Sequence, residues 1–120
     1  MIQHIVLYTP KAGLTDSDLR SFAQSVFRVL SGSKDISRAC IGRKATIDAG
    51  YERSFGERTY NYSAVLEFED EPALIRYLNS ADHAELGRLF WQTCADTVVL
   101  EVEAVDAKAS GASARIDELV

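Results

Sequence analysis

Apolar positions along the chain fall into short runs with two different periods. The segment Ile2 to Tyr8, IQHIVLY, alternates. Ile2, His4, Val6 and Tyr8 share one face, and Gln3, Ile5 and Leu7 the other, which predicts an opening strand. Pro10 and Gly13 then break the chain. Thr15 with Asp18 three residues later resembles a capping box, with aspartate in place of the usual glutamate. Leu19, Phe22, Ala23, Val26, Phe27 and Leu30 recur at helical spacing, so a helix is expected over about 16–30, ending near Gly32. Residues 36–44 predict a second strand, and 46–58 a long polar loop whose charged residues read as solvated surface. The stretch 60–69, YNYSAVLEFE, again alternates cleanly as a strand. Asp70 is placed to cap a helix with Pro72 in its first turn and a stripe of Leu74, Ile75 and Leu78. Asn79-Ser80 interrupts that stripe. A further helical piece near 82–94 carries Leu86, Leu89, Phe90 and Cys94, and residues 97–105 predict the last strand.

The order β-α-β-β-α-β defines an α+β, ferredoxin-like arrangement, with helices over one face of a four-stranded antiparallel sheet. The first strand is apolar on both faces apart from His4 and Gln3, and the last offers Val98, Leu100 and Val102 opposite Val99. An apolar sheet face of this size is a binding surface. Two copies packing face to face would cover it, so a homodimer closing into a dimeric α/β barrel is expected. Residues 1–106 form the expected domain. Residues 107–120, rich in alanine, serine and glycine, read as a flexible tail, with Ile116, Leu119 and Val120 able to dock on a second subunit.

Composition narrows the partners. A chain of 120 residues, 47% apolar and 26% charged, suits one domain with a core that needs no disulfide or metal. A net charge of −5 without a local Lys/Arg cluster argues against nucleic acid and against an anionic membrane surface. No apolar run is long enough to span a bilayer, and the N-terminus lacks the pattern of a signal peptide, so a cytoplasmic location is expected. Cys40 and Cys94 have no partner motif and read as reduced core residues. No metal or phosphate-binding motif is present, and no cofactor is called for.

Four stretches carry a family resemblance: HIVLY at the start, GY at 50–51, LEFEDEPAL at 66–74 and YLNSADH at 77–83. Together they resemble the stress-responsive A/B barrel (Dabb) family across about residues 1–105. The resemblance implies a dimeric α+β barrel. One family member with a known activity cyclises a linear polyketide thioester by intramolecular aldol condensation. It uses a histidine on its first strand and a Tyr/His pair at six-residue spacing. His4, Tyr77 and His83 match those positions. The family often reads His-Pro-Ala-His where this chain has Ser80-Ala81-Asp82-His83.

The matched residue types suit that chemistry. An imidazole with an ordinary pKa of about 6.5 is a base near neutral pH, and a phenol stays protonated there and can stabilise an oxyanion. His83 is accordingly the candidate base, Tyr77 the donor and orienter, and His4 a second polar group in the cleft. Read without the resemblance, His83 also fits an exposed first-turn residue, Tyr77 an amphipathic packing residue, and His4 a satisfied core histidine. Three functions follow: a dimeric protein with a pocket for a small hydrophobic or oxo-acid ligand and no catalysis; a cofactor-free cyclase or lyase; or a cofactor-free quinol monooxygenase-like enzyme.

Overall fold

Alternation along the first strand sets the architecture. The computed structural model describes residues 1–56 and 60–120. Strand β1 (Ile2–Pro10) lies inside the sheet, paired antiparallel with β3 (Tyr62–Phe68) on one side and β4 (Cys94–Glu103) on the other. Strand β2 (Arg38–Arg43) pairs antiparallel with β3, so the order is β2-β3-β1-β4. Helices α1 (Asp16–Gly32), α3 (Glu71–Leu78) and α4 (Ala81–Thr93) provide the residues that pack against this sheet. This is the expected ferredoxin-like α+β fold.

Register explains which residues are buried. Ala39, Leu66, His4 and Glu101 form one row across the sheet, and Ile41, Ala64, Val6 and Val99 the next. These rows face the helices. There Val6, Tyr8, Ala64, Leu66 and Phe68 meet Phe22, Val26, Val29 and Leu30 of α1, Leu74 and Tyr77 of α3, and Leu86 of α4. The intervening rows place Ile5, Leu7, Val65, Val98, Leu100 and Val102 on the opposite face.

Local chemistry fixes the helix starts. The Thr15–Asp18 capping box is complete: Asp18 N–H donates to Thr15 Oγ1 at 3.1 Å, and Thr15 N–H donates to Asp18 Oδ2 at 2.9 Å. Asp70 caps α3 by accepting from Ala73 N–H at 2.9 Å.

Several details differ from the sequence expectation. The first strand runs two residues past Tyr8 and ends at Pro10 itself. The strand absorbs it through a register shift between Thr9 and Pro10, where a residue without an N–H can sit. The polar loop at 46–58 holds a five-residue helix, α2 (Tyr51–Phe55). Gly50 and Gly56 bracket it with φ of 81° and 79°, values that glycine adopts without a Cβ penalty. The last two positions of that expected loop lie outside the described residues. Cys40 is exposed rather than in the core, because it sits on the outer face of an edge strand. Cys94 is half-buried and opens β4 directly after α4, with no intervening loop. Within residues 107–120, α5 (Ala112–Ile116) and a 3-10 turn (Asp117–Leu119) follow Gly111, and Ala112 is buried. Among the described residues no helix is long and apolar enough to cross a membrane.

Phe68 is fully buried, so Phe68→Ala is expected to lower the unfolding free energy by about 3–5 kcal/mol. Thr15→Ala removes half of the capping box and should cost about 1 kcal/mol. Urea unfolding followed by circular dichroism measures both.

Candidate active site

His4 is the one buried polar residue of the core among the described residues, 5% exposed. Its place in the helix-facing row follows from the alternation of β1. Its row neighbour on β4 is Glu101, and the two side chains meet: His4 Nδ1 lies 2.8 Å from Glu101 Oε1. A carboxylate at Nδ1 selects the tautomer protonated there, which leaves Nε2 of the neutral ring as a proton acceptor.

Tyr77 and His83 are brought to His4 by a corner between two helices. Tyr77 occupies the last turn of α3 and is 1% exposed, packed on Phe68 with ring centroids 5.3 Å apart. His83 is in the first turn of α4. Ser80 joins them. Its Oγ–H donates to the Tyr77 carbonyl at 2.6 Å, and the same Oγ accepts from His83 N–H at 3.2 Å. One hydroxyl therefore closes the end of α3 and caps the start of α4. The rings converge as a result, with centroids 5.3 Å apart for Tyr77–His83, 6.1 Å for His4–Tyr77 and 6.3 Å for His4–His83. The tyrosine is not a packing residue with a wet tip, and the histidine is half-buried rather than fully exposed.

The surroundings set protonation. Burial, reinforced by the Asp82 charge, pushes the Tyr77 phenol up to about 12, so it remains an O–H donor throughout the neutral range. Burial pulls His83 below its ordinary 6.5, and the neighbouring His4 adds to this. A hydrogen bond to the Leu78 backbone and the Glu101 charge oppose the shift. His83 is thus neutral at pH 7, with one ring nitrogen engaged by Leu78 and the other able to take a proton.

These rings stand at the wall of a cavity of about 120 Å³ between helices and sheet, lined otherwise by apolar side chains such as Val26, Leu30, Leu66, Leu86 and Val99. That volume equals the liquid share of about four waters and falls short of the roughly 300 Å³ of a drug-sized pocket. The arrangement can move protons on a small apolar molecule. Among the described residues no group of three or more histidine, cysteine, aspartate or glutamate side chains is placed to hold a metal ion. Arg53 of the 46–58 loop pairs with Asp48 on the surface at 3.3 Å and does not line this cavity. Sequence reasoning missed Glu101 and Ser80. The available signal was a glutamate inside the apolar run VVLEV, and a serine three residues before a histidine at a helix start.

A four-stranded antiparallel sheet in ferredoxin-like order, with helices packed on one face, defines the class. The chain belongs to the stress-responsive A/B barrel domain (Dabb) family, whose sequence profile matches residues 2–104. No curated protein sequence matches it. Solved structures share the fold. A Dabb-family protein with a ferredoxin-like fold from Mesorhizobium loti is 19% identical over 88% of this chain and 97% of that one, with a TM-score of 0.70. A dimeric ferredoxin-like protein of unknown function from Thermobifida fusca is 16% identical, covering 86% of this chain and 90% of that one, with a TM-score of 0.69. Hydroxynitrile lyase from Passiflora edulis is 17% identical, covering 84% of this chain and 90% of that one, with a TM-score of 0.70.

In an NMR titration the His83 ring is expected to show a midpoint below 6.5. In His4→Gln, which removes the second cause of that depression, the midpoint should move upward. A midpoint at or above the ordinary value in the native protein would contradict the burial argument.

Proposed function

We propose that the protein is a cofactor-free acid/base enzyme that makes or breaks a carbon–carbon bond beside the carbonyl of a small oxo compound, and that it works as a homodimer. The observation that carries the chemistry is the convergence of His4, Tyr77 and His83 at the wall of one apolar cavity. In the cleavage direction the free nitrogen of His83 takes the proton of a substrate hydroxyl. The alkoxide electrons form a carbonyl as the adjacent C–C bond breaks. The electrons of that bond pass to the departing fragment as an enolate or another stabilised carbanion, whose charge the Tyr77 O–H stabilises. His83 returns its proton to that fragment, so nothing is consumed. The reverse sequence is an aldol-type addition. His4, held by Glu101, keeps its acceptor nitrogen beside the reacting groups.

The convergence of two histidines and a tyrosine on an apolar cavity suits this lyase or aldol reading. A space of about 120 Å³ accommodates a reacting head of a few heavy atoms. The Passiflora edulis lyase supports the reading through shared fold alone.

The homodimer rests on the outer sheet face. Ile5, Leu7, Val65, Val98, Leu100 and Val102 form one apolar surface there, with Leu100 54% exposed. A second copy laid across it, sheet to sheet, removes that surface from water and closes the barrel. The radius of gyration of 16.1 Å exceeds the roughly 13–14 Å of a compact 120-residue domain. The C-terminal segment, with Ile116, Leu119 and Val120 exposed, has apolar groups to offer a partner.

With cyanohydrins and short β-hydroxy ketones as probes, His83→Ala is expected to lower kcat/KM at least tenfold without loss of fold, and Tyr77→Phe to lower kcat. Unchanged turnover in His83→Ala sinks the assignment. The pH profile of kcat/KM should fall on the acid side with an inflection below 6.5, as His83 takes up a proton, and stay flat to beyond pH 10, because the Tyr77 phenol lies near 12. Light scattering should report twice the 13.2 kDa chain mass, and Leu100→Asp should yield single chains.

A further inference from the structure

A cleft at the other end of the inner sheet face is bordered by two cations that nothing in the chain neutralises. It measures about 360 Å³ and lies between the first half of α1 and the end of β2. Register carries one cation there: Arg43, Tyr62, Tyr8 and Thr97 form the inner-face row two beyond that of His4 and Glu101. Arg20 of α1 supplies the other. Arg53, Arg76 and Arg88 each pair with a carboxylate. Among the described residues Arg20 and Arg43 pair with none, although acidic side chains outnumber basic ones 18 to 13. Asp18, two residues before Arg20, is taken up by the capping box. Two free guanidinium groups at one cleft of an acidic protein suit an incoming anion, and their forked donors match a carboxylate.

The walls give that anion an apolar body. Tyr8 and Tyr62 stack with centroids 5.6 Å apart and 21° between their planes. Leu19 and Phe22 come from α1, and Ile41 of β2 is left 42% exposed. Tyr8 is 4% exposed, yet its phenol has no hydrogen-bond partner among the described residues. Burial pushes that phenol up to about 12, so it keeps its O–H at neutral pH. The volume exceeds the roughly 300 Å³ of a pocket for a drug-sized molecule. A bare phosphate would leave the rings in water, whereas an aromatic acid would cover them.

This cleft is distinct from the reacting cavity. The two share no lining residue. Three rings packed on one another stand between them, with centroids 4.8 Å apart for Tyr8–Phe90, 5.2 Å for Phe22–Phe90 and 6.0 Å for Tyr8–Phe22. It also lies on the helix side of the sheet, so a second copy on the outer face leaves it open. We infer that the cleft is a second ligand site, for a small aryl carboxylate whose anionic group bridges Arg20 and Arg43 and whose ring lies along Tyr62. The inference stands whether or not the acid/base site turns over an oxo compound.

The probe is 2-naphthoate, followed by calorimetry and by amide NMR on the native protein. It should bind at least about tenfold more tightly than 2-naphthylmethanol, which carries the same rings without the charge. Inorganic phosphate should bind at least about tenfold more weakly than naphthoate. Amide signals of Leu19, Arg43 and Tyr62 should shift, and the His83 ring signals should not. Arg20→Gln and Arg43→Gln, both at exposed positions, should each weaken naphthoate about fivefold and leave the alcohol unchanged. Arginine stems that merely cover apolar surface would give no preference for the charged probe. Equal affinity for acid and alcohol, or naphthoate binding unchanged in both arginine variants, would overturn the site. Phosphate binding as tightly as naphthoate would overturn the aryl assignment, since the rings would then contribute nothing. Shifts confined to Tyr77 and His83 would move the acid into the reacting cavity and remove the second site, without touching the acid/base reading.

Discussion

The contact between His4 and Glu101 is what the rest of the site depends on. An imidazole on the inner face of an interior strand has lost most of its water, and an unsatisfied polar group there costs about 1–3 kcal/mol. Glu101, only partly buried, meets the ring at 2.8 Å while keeping much of its own hydration. Because the two residues are register partners on adjacent strands, the sheet itself sets their separation. A polar group can therefore stand among Val6, Leu66 and Val99 without disrupting the core, and its other nitrogen is available to the cavity.

A second asymmetry makes that core accessible. The helices bury the inner residues of β1 and β3, yet Val99 and Glu101 on β4 stay substantially open. A fully covered sheet would have produced a sealed core and a silent histidine. Leaving the β4 flank uncovered turns part of the core into a cavity, with acid/base groups on its wall and apolar side chains around them. The outer face then carries the opposite duty, since its valines and leucines have no helix to meet.

Period-two and helical patterns made most of this fold legible. The alternation of 2–8 and 60–69 specified faces correctly, and Thr15 and Asp70 marked two helix starts by chemistry that is local to a few residues. Features that depend on distant contacts were harder to see. Glu101 reads as an exposed charge until the register of β1 with β4 is known. Ser80 reads as an interruption until its hydroxyl is seen bonded in both directions. Cys40 looked buried because an apolar edge strand resembles an inner one when its neighbours are unknown. The short helix at Tyr51–Phe55 has too few apolar residues to produce a period. Tyr77, His83 and His4 were found through likeness to a family; their convergence is a property of the folded chain.

The Ser80 corner has a consequence for how this segment can change over time. A single hydroxyl measures the distance from the Tyr77 carbonyl to the His83 amide, so it acts as a ruler for the connection. Ala81 and Asp82 are exposed, and the Ser80 bonds that set the corner do not run through their side chains. Their number is not free. One inserted residue would rotate everything downstream by about 100° around the helix axis and turn the imidazole out of the cavity. Length in this stretch is under tighter restraint than spelling.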